Sequence, residues 1–373
     1  MPSLQELLGF VPLMRALQTV PSGVPRILPD AAYAPKQQVL GDKARQFRYR
    51  GTRKAARVVP YGAPPRRVQL LGRSVRDVGM LFVHEEVQFT QELVLQLIDW
   101  VATDGKGLQA TTMARSEVLQ QTEDFKTRLD TFRTVAVHSQ VVGGVTYLDV
   151  DGNILPTSSG AITAIDSGVK ASHKGQINPG GGGLVSASWA SSSTDIPTQI
   201  GNILQYLLIE GGRPITTAVY GANIPGYVAN NDKAKYWLAR NAGLQQKFAD
   251  SPMWLPDGLF GIQKWIPALA MYHEADDGTV VQPFPADQIT LCPGFETDAW
   301  MVAEGSFPVP TANAFQPATS IEEALKGLVM QYGQFQWSKL DLTNIPSSTF
   351  THGDTFLPWW NAPDSVAFVD TTP

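Results

Sequence analysis

TMARSEVLQQTEDFKTRLDTFRTVAVHSQVVG, residues 112–143, contains no proline and repeats its apolar or small residues with the period of a helix. Steps of four and three residues keep those side chains on one face. Thr111 or Thr112 can cap the start, and Gly143 and Gly144 provide a stop. At about 1.5 Å per residue the helix would be roughly 45 Å long, which predicts a spine rather than the ordinary core helix of an enzyme. The predicted buried face consists of Val118, Thr122, Phe125, Leu129, Phe132 and Ala136.

The composition indicates a folded chain with few charges. Of the 373 residues, 43% are hydrophobic and 17% are charged, and there are 33 glycines and 27 prolines. Many turn formers with sparse charge are typical of a loop-rich protein whose surface is covered by other subunits, although a plain β-rich protein also fits. The lone cysteine, Cys292, excludes an internal disulfide framework and a cysteine-based zinc site, and it favours a reducing compartment.

The first forty residues predict an extended arm. MPSLQELLGF, residues 1–10, shows neither the basic n-region nor the long apolar h-region of a signal peptide. Residues 1–40 contain six prolines, so the only helical structure expected there is a single turn at residues 4–8. An arm of this kind cannot form a core of its own, so we expect it to lie on a neighbouring copy of the chain. No apolar run in the sequence approaches the roughly 18 residues of a membrane-spanning helix.

A basic segment follows the arm. Residues 43–76 hold eleven Lys and Arg and no acidic residue, whereas the whole chain has a net charge of −5. Two alternating stretches, 47–59 and 66–83, predict a long two-stranded hairpin joined by a proline-rich turn. An isolated hairpin is marginal in water, so this one should dock on the acidic surface of an adjacent subunit. A solvated basic hairpin and a nucleic-acid-binding β-ribbon are the alternatives, and the acidic remainder of the chain disfavours the second.

The remaining segments on either side of the spine alternate between short elements and loops. We expect an amphipathic helix over residues 86–101 and a β-hairpin over residues 145–155 that turns at Asp151-Gly152. Residues 156–194, rich in serine and glycine, predict a long loop.

From residue 195 onward the pattern is typical of a compact α/β lobe of about 120 residues. Asp195 should start a helix that ends at the glycine pair 211–212. The other predicted elements of the lobe are a strand at 214–220, a helix at 232–242, a hairpin of residues 261–272 and 280–284 around Asp276-Asp277-Gly278, and strands at 289–291 and 300–303. The tail predicts a helix at 320–331 and strands at 334–341 and 364–370.

The residues that carry chemistry form no recognised catalytic or metal-binding pattern. The five histidines lack ligand spacing, and the sequence has no nucleophile elbow, phosphate loop or dinucleotide fingerprint. Residues 149–153 resemble a calcium loop only faintly, because the later bidentate glutamate is missing, so they are read as a turn. Residues 180–183 are read as a flexible loop, and Glu274, Asp276 and Asp277 as the tip of a hairpin. We therefore expect no enzymatic activity, no catalytic residue, no cofactor and no bound metal.

The order of these parts is similar to a known family. The residues that carry the similarity are VGGVTYLDVDG at the end of the spine (142–152), WASSSTD before the lobe (189–195), ITLCPG (289–294) and the closing APDSVAFVD (362–370). Each motif is weak alone, but their order resembles the major capsid proteins of tailed phages, specifically the family of the phage lambda major head protein. The resemblance covers nearly the whole chain as topology.

The resemblance implies an α+β fold of the Hong-Kong-97 type. In such a fold residues 1–40 are the N-terminal arm and residues 41–85 the E-loop. Residues 86–194 form a peripheral domain around the spine helix. Residues 195–312 form an axial α/β domain, and residues 313–373 return to the peripheral domain and add the terminal strand.

The implied function is structural. Copies of the chain would form hexamers and pentamers that close into an icosahedral shell in the virion, assembled in the host cytoplasm around double-stranded DNA contacted non-specifically. A separate scaffolding protein, a portal and a decoration protein are the implied partners, with no membrane. The basic E-loop would lie on a neighbour's acidic peripheral domain, where individually weak ion pairs set register and assembly rate. The residues expected to make these contacts between subunits are Arg48, Arg50, Arg53, Lys54, Arg57, Arg66 and Arg67.

Three other functions stay open on the sequence. An encapsulin-type compartment shares the fold and would be distinguished by its cargo. A DNA-binding β-ribbon protein would use the same basic hairpin and show a steep salt dependence. An α/β enzyme housed in residues 195–310 would need a polar constellation that the sequence does not show.

Overall fold

The structure is a computed structural model that describes most of the chain. The described residues are 24, 26–48, 74–89, 92, 109–150, 153–155, 157–177, 183–251, 254–268, 273–274, 280–281, 284–310, 328–341 and 347–372. The helices within them are α1 (Gln109–Gly143), α2 (Ile196–Gly211), α3 (Ile224–Asn230), α4 (Asp232–Ala239) and α5 (Ala242–Asp250).

Strands make up most of the remaining regular structure. They are β1 (Gln37–Val39), β2 (Lys43–Arg48), β3 (Ser74–Gly79), β4 (Leu81–Phe89), β5 (Val145–Leu148), β6 (Ile154–Leu155), β7 (Thr163–Asp166), β8 (Lys174–Gly175), β9 (Thr217–Tyr220), β10 (Lys264–Pro267), β11 (His273–Glu274), β12 (Val280–Val281), β13 (Gln288–Cys292), β14 (Trp300–Pro310), β15 (Leu328–Tyr332), β16 (Phe335–Asp341), β17 (Ser347–Trp360) and β18 (Ala367–Asp370). This mixture confirms the predicted α+β class.

The spine prediction is confirmed, with one correction at its start. Helix α1 has 35 residues and begins at Gln109, so the predicted cap at Thr111 or Thr112 is wrong. Neither Gln109 nor Ala110 breaks a helix, and Ala110 favours helical backbone, so the helix begins ahead of the threonines. The predicted end is correct. Gly144 adopts a positive φ of 70°, and its N–H donates to the Gln140 carbonyl at 2.9 Å.

The predicted apolar face of α1 is the face that packs. Thr122, Phe125, Leu129 and Ala136 are buried, whereas Phe132 is half-buried. The side chain of Val118 lies outside the described residues. The Phe125 ring stacks on Phe350 and on His352 of β17, with centroid distances of 5.8 Å and 4.0 Å. Helix α1 therefore lies across a sheet rather than standing alone.

That sheet, the long sheet, is organised around β17, which has 14 residues. Strand β4 pairs along one edge of β17, from Ser348↔Phe89 to Phe356↔Leu81. Strands β16 and then β14 pair along the other edge. Strands β1 and β15 both join through β14. Because side chains alternate across a strand, residues 350, 352, 354 and 356 of β17 face α1, and the intervening residues face the opposite side.

The lobe has its own five-stranded sheet, in the order β10-β9-β13-β18-β8. Helix α2 begins and ends as predicted. The Asp195 carboxylate accepts a hydrogen bond from the Thr198 N–H at 3.1 Å, and Gly212 follows the helix with a φ of 72°. The C-terminal strand β18 pairs with β13 in this lobe, whereas β14 belongs to the long sheet.

Three predicted elements are wrong, and tertiary pairing is the reason in each case. Residues 86–89 were expected to start a helix but form the end of β4, because they pair with β17. Residues 328–331 were expected to end a helix but lie in β15, paired with β14. The loop expected over residues 156–194 contains β7 and β8, which join two different sheets.

The hairpin predicted at residues 145–155 is confirmed, because β5 and β6 pair antiparallel. The hairpin predicted from residues 261–272 and 280–284 is confirmed only in its second strand. Strand β12 pairs antiparallel with β11, whereas residues 264–267 form β10 and pair in parallel with β9. Asp151, Gly152 and the tip Asp276-Asp277-Gly278 lie outside the described residues.

Candidate assembly surface

The root of the basic hairpin is present as a six-residue antiparallel ladder. It runs from the pair Lys43↔Gly79 to the pair Arg48↔Ser74. Of the seven residues predicted to contact a neighbouring subunit, the structure describes Arg48, which is the last residue of β2. The other six are outside the described residues, and their contacts stay a prediction: Arg50, Arg53, Lys54, Arg57, Arg66 and Arg67.

The hairpin root is anchored on one face. The Ala44 side chain is buried, and the Gln46 amide Nε2 donates to the Trp360 carbonyl at 3.1 Å. On the outer face Arg45 is exposed and pairs with the exposed Asp77 at 3.1 Å. This alternation follows from the period of a strand and leaves a root that is fixed to the core on one side and solvated on the other.

Residues 26–39 lie on the core of their own chain, as a strap. Leu28, Ala32 and Tyr33 are buried, and the Tyr33 hydroxyl lies 3.2 Å from His138 Nε2 on the spine. The Trp300 indole N–H donates to the Ala32 carbonyl at 3.0 Å. For this part of the arm, the expectation that it packs on a neighbouring copy is wrong. Its apolar residues at 28, 32 and 33 are enough to join the existing core.

Lys36 holds the end of the strap. Its ammonium group donates to the carbonyl oxygens of Phe295, Thr297 and Trp300 at 2.7, 2.7 and 3.0 Å. Burial lowers the pKa of Lys36, and Asp298 and Glu296 partly oppose that shift. Three carbonyl dipoles satisfy the three N–H bonds of the ammonium group, so the strap is held by a specific polar contact as well as by apolar packing.

A buried ion cluster joins the spine to the long sheet. Arg133 Nε donates to Asp354 Oδ2 at 2.5 Å, and its Nη2 donates to Asp354 Oδ1 and Glu304 Oε1 at 2.8 Å. The Arg133 side chain is 13% exposed and that of Asp354 is 0% exposed. The guanidinium carbon lies 4.8 Å from the centroid of the Phe356 ring. Burial acts to lower the pKa of Arg133, but the Asp354 and then the Glu304 carboxylates raise it, and the net shift is upward.

A second, more exposed cluster lies one turn earlier on the spine. Arg128 donates to both carboxylate oxygens of Glu85 on β4, at 2.8 and 3.0 Å. The buried His352 Nε2 lies 2.8 Å from Glu85 Oε2, at ion-pair distance. His352 lowers the pKa of Glu85 to about 2, with Arg128 acting in the same direction and burial opposing both.

This shift predicts a loss of stability in acid. The folded pKa of Glu85 lies below its ordinary value, so its contribution is present above about pH 4.5 and disappears as the pH falls toward about 2. Replacing Glu85 with glutamine should lower the free energy of unfolding by about 1 kcal/mol at pH 6, a figure reduced for the partial exposure of the carboxylate. The difference between the variant and the parent should shrink at pH 3, which urea unfolding at both pH values measures.

Asp77→Asn is the matched control for Glu85→Gln, because it removes a carboxylate from the exposed pair with Arg45. Its effect on stability should stay within a few tenths of a kcal/mol at both pH values. A Glu85→Gln penalty that is as small as the control, or that grows in acid, would contradict the assignment.

The other side chains considered as candidates for chemistry, Cys292 and Asp149, have structural roles. Cys292 is fully buried in the lobe, and burial raises the pKa of its thiol to about 12. The Asp149 carboxylate accepts hydrogen bonds from the backbone N–H and the side-chain amide of Asn153, at 2.8 and 2.9 Å, as a hairpin turn requires. The part of the chain that the structure describes has no group of three or more His, Cys, Asp or Glu side chains placed to hold a metal ion. Across those same residues, no helix has the length and apolar character needed to cross a bilayer.

The comparisons with known proteins found similar folds among solved structures. No family model matches the chain, and no curated protein does. A phage-related protein from Bordetella bronchiseptica RB50 is 11% identical, with a TM-score of 0.47 over 98% of this chain and 97% of its own. The mature capsid of bacteriophage PhiM1 is 9% identical, with a TM-score of 0.42 over 94% and 89% of the two chains. A virus-like particle from Pyrococcus furiosus is 10% identical, with a TM-score of 0.39 over 96% and 95%.

Proposed function

We propose that this chain is the major capsid protein of a tailed phage. Its copies form the hexamers and pentamers of an icosahedral shell that encloses double-stranded DNA. The protein acts as a building block and performs no reaction.

One observation carries this proposal. A 35-residue helix lies across the long sheet, and the six-residue root of the basic hairpin is fixed at the end of that sheet through Gln46 and Trp360. The basic residues 49–73 follow from this root, and in a shell they can contact a neighbouring subunit. The arm, hairpin, spine and lobe also occur in the order that the family resemblance implies.

The details of the shell belong to the same proposal. Residues 41–85 serve as the E-loop, residues 86–194 as the peripheral domain and residues 195–312 as the axial domain around the capsomer axis. The chain after residue 312 returns to the long sheet and ends in the lobe. A separate scaffolding protein, a portal and a decoration protein are the proposed partners. The protein resides in the virion after assembly in the host cytoplasm.

Sedimentation velocity tests the proposal on the full chain. The purified protein, expressed alone and with its neighbouring genes, should contain a fast boundary that corresponds to particles of hundreds of subunits. Particles that package DNA should also absorb more strongly at 260 nm than at 280 nm. A single slow boundary for a monomer or a dimer in both preparations would contradict the proposal.

A further inference from the structure

Three polar side chains meet where the spine passes the connection between β15 and β16. They are Lys126 and Asp130 on α1 and Gln334 in the connection, and we call them the lysine–glutamine cluster. Lys126 Nζ donates to Gln334 Oε1 at 2.7 Å and to Asp130 Oδ1 at 3.1 Å. Gln334 Nε2 donates to the same Asp130 oxygen at 3.0 Å. An amine, a primary amide and a carboxylate therefore lie within hydrogen-bond distance of one another.

The spine fixes two members of this cluster. Lys126 and Asp130 are four residues apart, so the helical period places them on one face of α1, one turn from each other. Their side chains are 16% and 3% exposed. Water has little access to a site of this kind, so the polar groups interact strongly with one another and a competing nucleophile is kept out.

The connection between β15 and β16 fixes the third member. Gly333 has a φ of 71°, and its N–H donates to the Gly305 carbonyl at 3.1 Å. A Cβ added to Gly333 would lie 2.5 Å from Glu304 Oε1 and 2.8 Å from Arg133 Nη2. The connection is therefore packed directly against the buried ion cluster, and this packing holds Gln334 beside the spine.

The amine is close to the distance required for attack on the amide. A C=O bond is about 1.23 Å long, so Lys126 Nζ lies no more than about 3.9 Å from Gln334 Cδ. Reacting atoms in a near-attack arrangement lie about 3–3.5 Å apart, which a small rotation of the lysine side chain reaches. The amide nitrogen, which is the leaving group, contacts Asp130. Nucleophile, electrophile and proton carrier therefore occupy the positions that amide exchange requires.

We infer that Lys126 and Gln334 form an isopeptide bond within the folded subunit, with Asp130 as the group that carries the proton. The cluster is then a site of covalent self-modification that ties the spine to the long sheet of the same chain. This single step goes beyond the proposed function. It turns over no substrate, so the subunit remains a building block.

The step balances without any further reactant. Asp130 accepts a proton from the Lys126 ammonium group, and the freed lone pair attacks Gln334 Cδ. As the tetrahedral intermediate collapses, Asp130 returns the proton to Nε2, the Cδ–Nε2 bond breaks and ammonia leaves. The ammonium group and the primary amide become a secondary amide and, with the second lysine proton, an ammonium ion. No atom is oxidised or reduced.

Mass spectrometry of the purified full chain tests the inference. Its intact mass should be lower than that of the same chain without the bond by about 17 Da, the mass of the released ammonia. Trypsin does not cleave after an acylated lysine, so residues 116–128 should stay joined to residues 327–339 as one branched peptide. Fragmentation should locate the branch at Lys126 and Gln334. An unmodified mass with cleavage after Lys126, or a branch at a different glutamine, would overturn the inference.

Three variants assign the roles of the side chains. Lys126→Arg keeps a cation that can pair with Asp130 but removes the amine, so it should retain the full mass. Asp130→Asn should also retain the full mass, and a branched peptide in this variant would contradict the role of Asp130. Lys170→Arg is the matched control, because Lys170 Nζ pairs with the carboxylates of Glu210 and Asp364 at 2.7 and 3.1 Å. This control should still lose ammonia.

Urea unfolding gives a second readout. The bond closes a ring between residues that are 208 apart in sequence, and such a cross-link removes conformations from the unfolded chain. Lys126→Arg should therefore unfold at a lower urea concentration than the parent, whereas Lys170→Arg should unfold close to it. Circular dichroism confirms that the variants fold, and equal midpoints for all three proteins would count against a closed ring. Both measurements use the subunit without assembled particles, so they can fail or succeed independently of the proposed function.

Discussion

Replacing Arg133 with methionine should lower the free energy of unfolding by about 3–5 kcal/mol. The change leaves the Asp354 carboxylate, which is 0% exposed, and that of Glu304, 12% exposed, without their shared cation. Methionine roughly fills the volume of the arginine stem. The loss of stability therefore comes from the carboxylates left without a cation more than from a cavity. Urea unfolding at neutral pH, followed by tryptophan fluorescence, measures the difference.

Two companion variants separate buried charge from a general effect of losing arginine. Arg45→Met breaks the exposed pair with Asp77 and should cost less than about 1 kcal/mol. Adding Asp354→Asn to Arg133→Met should recover part of the loss, because one of the two stranded charges is removed. An Arg133→Met variant as stable as Arg45→Met would show that the cluster does not join spine and sheet as described.

Neutralising the basic residues that follow the hairpin root, here called the tip to distinguish them from the root, should prevent assembly while leaving the subunit folded. With Arg50, Arg53, Lys54 and Arg57 all changed to glutamine, each subunit loses four cations, worth about 0.5 kcal/mol each if they pair with a neighbour. The total of about 2 kcal/mol weakens each contact roughly 30-fold, and a closed shell repeats that loss at every interface. Light scattering at a fixed protein concentration should show no particles.

The control for the hairpin variant lies at the root of the same hairpin. Lys43 and Arg45 are exposed on β2, where the strand is fixed to its own core, so changing both to glutamine should leave assembly intact. High salt should weaken assembly of the parent in the same direction as the tip variant, because it screens exposed charges. Normal assembly of the tip variant would mean that these cations do not contact a neighbour.

The spine and helix α2 of the lobe could be predicted because their signals are local. A period of three and four residues marks α1, and Asp195 and Gly212 bound α2 through contacts with residues close in sequence. The long sheet could not be assembled in this way. Strand β17 draws its partners from residues 81–89, 300–310 and 335–341, and no local pattern indicates which segments pair.

The charged contacts were missed for a related reason. The helical period places Arg133 among the charged residues beside the apolar face. From that position alone, its side chain would be predicted to be exposed to solvent. Its burial depends on Asp354 and Glu304, which are 221 and 171 residues away in sequence. Glu85 presents the same problem, because its partner His352 lies on a strand that the sequence pattern did not indicate.

Electron microscopy of the purified protein, expressed alone and then with its neighbouring genes, tests the shell function most directly. We predict closed particles of uniform diameter, tens of nanometres across, in which projecting hairpins cross from each subunit to the next. A monodisperse monomer or dimer in both preparations would contradict the account.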